Sequence, residues 1–174
     1  MIAQISGLKR IAAILIAFQV ILWPGAAWAE AATDWLDGPK ADIRLISATT
    51  AVGELDTISL GVEVRLEDGW KTYWRSPGDA GIPPFVAWDG SSNLADTRFQ
   101  WPAPVRFNYY DLETFGYQKS VVFPIQARVA KAGEGVSLRA QLDLLICDDV
   151  CIPHTSTQRW ICQLGQPSPA NTPI

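Results

Sequence analysis

From Val136 to Ile146 every second residue is apolar: Val136, Leu138, Ala140, Leu142, Leu144 and Ile146. A period of two is the spacing of one strand face, so the stretch reads as a strand with one side buried. It runs directly into Cys147-Asp148-Asp149-Val150-Cys151-Ile152-Pro153-His154. A helix would also bring residues four apart together, but the β-patterned lead-in and Pro153 argue against one. The expectation is a strand that delivers one cysteine, an acidic reversal, and a second cysteine close enough to bridge. A tight reversal brings the two Cα atoms to about 5.5 Å, within disulfide range.

The rest of the chain repeats the strand signal. Ile58, Leu60, Val62, Val64 and Leu66 line one face of Thr57 to Leu66, with Thr57, Ser59, Glu63 and Arg65 opposite. Ile43 to Thr49, Trp70 to Trp74 and Pro83 to Trp88 read as further strands, and Arg98 to Trp101, with the flanking Pro102 and Pro104, as an edge strand or an extended connection. Val121 to Val129 alternates, with Pro124 arguing for an edge or a bulge. Ser156 to Leu164 places Trp160, Cys162 and Leu164 together. Two segments read as loops: Arg75 to Gly81, rich in breakers, and the aromatic Phe107 to Tyr117. With many short strands and no helical periodicity after the leader, the fold class is all-β, an immunoglobulin-like antiparallel β-sandwich. Cysteines this close in sequence cannot supply the inter-sheet disulfide of immunoglobulin domains.

Residues 1–29 have the pattern of a signal peptide. Lys9 and Arg10 precede the apolar run Ile11 to Trp23, and Ala27-Trp28-Ala29 is a small-x-small cleavage site. The run is shorter than the roughly 20 residues that span a bilayer. The mature chain is then one soluble, exported domain over residues 30–164, followed by a proline-rich polar tail, 165–174, expected to be disordered. Removing Lys9 and Arg10 from the 14 basic residues leaves 12 against 18 acidic ones, a formal charge of −6. That balance disfavours nucleic acid and anionic membrane surfaces as partners.

An exported chain with three cysteines makes a disulfide the default, and Cys147 and Cys151 are the natural pair. As a static staple it would close a short loop and remove little unfolded-state entropy. As a redox pair it would open and close. The spacing alone leaves both readings open. Asp148 and Asp149 disfavour a neighbouring thiolate, which points toward a reducing or mid-range couple rather than a strong oxidant. His154, the sole histidine, is either an exposed loop residue, a proton carrier near Cys151, or a third metal ligand with the cysteines. Copper(I) or zinc would lack an evident fourth ligand, so no metal and no cofactor is assigned. Cys162 reads as a buried, inert thiol.

These residues resemble a family. Cys147 to His154 is similar to the active-site segment of the periplasmic N-terminal domain of DsbD- and ScsB-type thiol:disulfide interchange proteins. Gly69-Trp-Lys-Thr-Tyr-Trp-Arg-Ser-Pro-Gly-Asp-Ala-Gly81, Gln100-Trp-Pro-Ala-Pro-Val-Arg-Phe107 and Phe115-Gly-Tyr117 resemble blocks of ScsB-like sequences in the same order. The three-residue gap between the cysteines points to the ScsB-like branch. The resemblance implies a monomeric immunoglobulin-like sandwich that takes electrons from a membrane-embedded redox protein and passes them to periplasmic thioredoxin-like or other thiol proteins. It implies Cys151 as the attacking cysteine, Cys147 as the resolving one, and Phe115 and Tyr117 as an aromatic cap over them. The membrane and thioredoxin-like domains of the full-length family are not in this sequence, so either a separate membrane protein supplies the electrons or the domain has been put to another use. The competing expectations are a binding module with a structural local disulfide and a copper- or zinc-handling protein.

Overall fold

The computed structural model describes residues 31–109 and 111–162. The leader and the polar tail lie outside them, as do Leu164 and the side chain of Cys162. The described chain runs β1 (Leu36–Gly38), β2 (Ala41–Ser47), β3 (Thr57–Leu66), β4 (Lys71–Gly78), β5 (Phe85–Ala87), β6 (Leu94–Phe99), β7 (Val105–Tyr109), β8 (Leu112–Gln118), β9 (Ser120–Val129), β10 (Val136–Cys147) and β11 (Cys151–Cys162). One sheet is ordered β1-β2-β3-β9-β6, and the other β11-β10-β4-β8-β7 with β5 also paired to β10. All of these pairings are antiparallel. The molecule is an antiparallel β-sandwich of immunoglobulin-like architecture, as expected from the alternation.

The core is what the period-two patterns supply. Ile58, Leu60, Val62 and Val64 of β3 and Val121, Phe123, Ile125 and Ala127 of β9 are buried. They meet Leu138, Leu142, Leu144 and Ile146 of β10 and Trp160 of β11. At one end Phe123 collects Phe99, Trp101 and Tyr117, with ring centroids within 5.3, 5.8 and 5.2 Å of its own. Edge-to-face and offset contacts of this kind add to the burial energy.

Three expectations need correction. Pro124 lies in β9, an inner strand between β3 and β6. Gln100 donates its backbone N–H to the Pro124 carbonyl at 2.8 Å. The missing Pro124 N–H therefore points the same way, toward β6, whose ladder has just ended at Phe99. Second, Phe107 to Tyr117 is not a loop but most of the β7–β8 hairpin, with Asn108 opposite Glu113 and Phe107 opposite Thr114. Third, Arg75 to Gly78 continues β4. The strand bulges, so that Tyr73 pairs with Gly116 and Gly78 with Thr114.

The bulge changes what borders β10. At its cysteine end β10 pairs with β4 through Cys147 and Lys71. Further back, Gln141 to Asp143 pair with β5 instead. The connection 79–84 must therefore cross between the two, over Tyr73. It comes so close that a Cβ on Gly81, whose φ is +108°, would stand 2.3 Å from the Tyr73 ring. Only glycine fits there.

Candidate functional site: a cross-strand cysteine pair

The β10–β11 hairpin closes at Cys147 and Cys151, which are directly opposed in the ladder and joined by a disulfide with Cα atoms 4.1 Å apart. The turn between them is held by the Asp148 N–H donating to the Val150 carbonyl at 3.0 Å. The second strand begins at Cys151 itself, five residues before the sequence pattern suggested, because direct cross-strand pairing extends the ladder to the bridge.

Register fixes which way each side chain points. Leu144, Ile146 and Trp160 face the sandwich core. The alternate pairs Asp143–Thr155, Leu145–Pro153 and Cys147–Cys151 therefore follow one another on the opposite, outer face. The two sulfurs are not equally reachable. Cys147 is 1 % exposed, whereas Cys151 is exposed, as are Asp148, Asp149 and Val150 of the turn.

Lys71 stands across the ladder from Cys147, with its Nζ 5.4 Å from the Phe107 ring centroid. The charge around the pair is consequently mixed, not acidic alone. A cation beside a thiol stabilises its thiolate and works against Asp148 and Asp149. Lys71 carried no signal in the sequence, because its proximity depends on how β4 pairs.

The structure separates the remaining site candidates from the sulfurs. Tyr117 pairs with Thr72, one register step from the Lys71–Gln118 pair that shares the cysteine row. Tyr117 and, two residues away on the same face of β8, Phe115 thus lie on the side turned from the disulfide. Tyr117 is a core residue, 5 % exposed, whose hydroxyl donates to the Pro102 carbonyl at 2.9 Å. Its burial pushes its pKa up to about 12, against a smaller opposing effect of Arg75. Phe115 is half-buried. Neither is placed over the cysteines. What does lie on their face is the 79–84 connection, including Ile82, beside Leu145 and Pro153.

His154 is not an exposed loop residue. It is a β11 residue paired with Leu144 and 8 % exposed. Its imidazole packs against β1 so closely that a Cβ on Gly38 would fall 2.1 Å from its Cε1. Its Nε2 is buried without a hydrogen-bond partner, and burial lowers its pKa. It faces inward while Cys151 faces outward, which removes the geometric basis for proton transfer to Cys151 or for joint metal ligation. Among the described residues no group of three or more His, Cys, Asp or Glu side chains could hold a metal ion.

Comparison with known proteins decides the family. The profile described as thiol:disulfide interchange protein DsbD, N-terminal, matches residues 44–160. The chain belongs to the DsbD N-terminal family. Among solved structures, this DsbD N-terminal-type domain is similar to the N-terminal periplasmic domain of ScsB from Proteus mirabilis, with 34% identity and a TM-score of 0.62. The match covers 75% of this chain and 51% of that one, so the domain spans about half of that structure. The reduced DsbD n-terminal domain of Neisseria meningitidis matches at 16% identity and a TM-score of 0.37, over 72% of this chain and 90% of that one. No curated protein matches. No helix among the described residues is long and apolar enough to cross a membrane.

Proposed function

We propose that this DsbD N-terminal-type domain is a periplasmic carrier of electrons that works by thiol–disulfide exchange through Cys147 and Cys151. The observation that supports it is the inequality of the two sulfurs: one exposed at the start of β11, the other buried beside it. In the reduced domain the Cys151 thiolate attacks a client disulfide, forming a mixed disulfide and expelling one client thiolate. The Cys147 thiolate then attacks the Cys151 sulfur and expels the second client thiolate. Two electrons have moved to the client, its two thiolates take up the two protons released by the domain, and the Cys147–Cys151 bond has re-formed. A membrane-embedded redox protein is the donor that reopens it, and thioredoxin-like or other periplasmic thiol proteins are the clients. No cofactor enters the sequence of steps.

Export rests on the leader pattern over residues 1–29, and N-terminal sequencing of the periplasmic protein should begin at Glu30. The exchange steps are tested by trapping. A Cys147→Ser variant should accumulate mixed disulfides through Cys151 in the periplasm, released by dithiothreitol, and a Cys151→Ser variant should accumulate far fewer. An absence of adducts from Cys147→Ser, under conditions that trap known thiol carriers, would leave a binding module with a structural bridge.

A further inference from the structure

Beside the disulfide, on the same outer face, lies a cavity of about 300 Å³ whose walls are mostly apolar: Ile82, Pro83, Phe85, Leu145 and Pro153, with Asp143 and Thr155 at its far end. It is open to solvent along a side rimmed by large exposed apolar residues. Ile82 is 62% and Phe85 61% exposed. Isolated exposed apolar side chains need no explanation, but Ile82 and Phe85 flank one groove whose Leu145–Pro153 row is the next on the outer face after the cysteine pair, and together they mark a contact surface. The far end is fixed, since Thr155 donates to Asp143 at 2.6 Å and Phe85 pairs with Asp143.

We propose that this groove is a specificity subsite for the client, and that it takes a large apolar side chain two to four residues from the client's reactive cysteine in an extended segment. The inference deepens the exchange reading and rests on it. Its length follows from the register. The Leu145–Pro153 pair is two residues from the cysteine row and the Asp143–Thr155 pair four, or about 7 and 14 Å along the strands. A client sulfur bonded to Cys151 places an extended chain's second to fourth neighbours over those two rows. The occupant is a client segment because the groove continues along the outer face from the row of Cys151, the exposed sulfur a client must reach. It is bounded by the hairpin itself on one side and the 79–84 connection on the other.

The test uses reduced full-length domain and two synthetic peptides. Each carries one cysteine capped as a mixed disulfide with 2-nitro-5-thiobenzoate, with either phenylalanine or serine three residues away. Cys151 attacks the peptide sulfur and expels the coloured thiolate, and Cys147 then releases the peptide thiol. Stopped-flow absorbance reads the second-order rate. The phenylalanine peptide should react about tenfold faster, the size given by partial burial of one aromatic side chain. Phe85→Ser and, separately, Ile82→Ser should bring the two rates together. Both residues are mostly exposed, so neither substitution threatens the fold, and thermal melts verify it. Ile161→Ser, an equally exposed apolar residue at the far end of β11, should keep the preference. Equal rates for the two peptides, or a preference that survives both groove variants, would overturn the subsite while leaving exchange intact. A concentration-dependent dimer in sedimentation, dissolved by Phe85→Ser, would overturn it by assigning the groove to a second copy. Failure of the reduced domain to react with either peptide or with Ellman's reagent would remove the exchange reading itself, and the subsite with it.

Discussion

His154 carries the sharpest consequence at the level of single residues. Its imidazole is wedged between β11 and Gly38 with Nε2 unpartnered, and burial holds its pKa below the ordinary 6.5. The unfolded chain therefore binds a proton at a higher pH than the folded one does. Stability is full above about pH 6.5 and is lost as the pH falls through the lowered value. Urea denaturation between pH 7.5 and 5 should show this loss, and a His154→Leu variant should show a flatter profile. At neutral pH that variant should be neutral or slightly more stable, since it removes an unsatisfied buried nitrogen. Tyr117 behaves oppositely. Its hydroxyl is satisfied by Pro102, so Tyr117→Phe should cost about 0.5–1.5 kcal/mol, read by the same denaturation. The cysteines themselves sit between charges of both signs. Asp148→Asn should make the couple less reducing, because a carboxylate that opposed the thiolate is gone, and Lys71→Met more reducing. Each shift should be on the order of 10–30 mV in a glutathione titration.

The elements show where local pattern was enough and where it was not. β3 and β10 were legible because each has one face in the core and one outside, which writes a clean alternation. The Cys147–Cys151 pair was legible for the same reason, since β10 points straight at it. The β7–β8 hairpin was not. Leu112 and Val105 are exposed, while Thr114 and Gly116 are buried, so the apolar residues there do not track one face. β4 was hidden by Pro77 and Gly78, which sit in and after a bulge that only tertiary pairing reveals. The burial of His154 is not legible either, because a histidine after a proline gives no sign that an incoming strand covers it. Gly116 makes the pairing of β4 and β8 testable. A Cβ there would fall 2.0 Å from the Thr72 carbonyl oxygen, backbone that cannot swing aside. Gly116→Ala should destabilise the domain by about 1–3 kcal/mol or more, a loss read by urea denaturation.

Across the whole molecule, the bridge joins two neighbours in one sheet and the core joins the two sheets. These are separate sources of order. A loop this short contributes at most about 2 kcal/mol by the chain-entropy argument, whereas the core draws on β2, β3, β9, β10 and β11 together. The Cys147→Ala/Cys151→Ala double variant should therefore remain a folded sandwich, with the same far-ultraviolet circular dichroism and a stability lower by about 2 kcal/mol or less. Loss of cooperative unfolding in that variant would show that the bridge supports the fold. The handover of β10's border from β4 to β5 has a different implication. Of the residues that span it, Asp79 is bonded to β8, Gly81 is held against Tyr73 and Pro84 is buried, but Ile82 and Pro83 belong to neither hydrophobic interior nor ladder, so their chemistry can drift while the sandwich stays as it is. A lineage of such domains could exchange one roof for another and change which visitors are admitted, with no tax on folding.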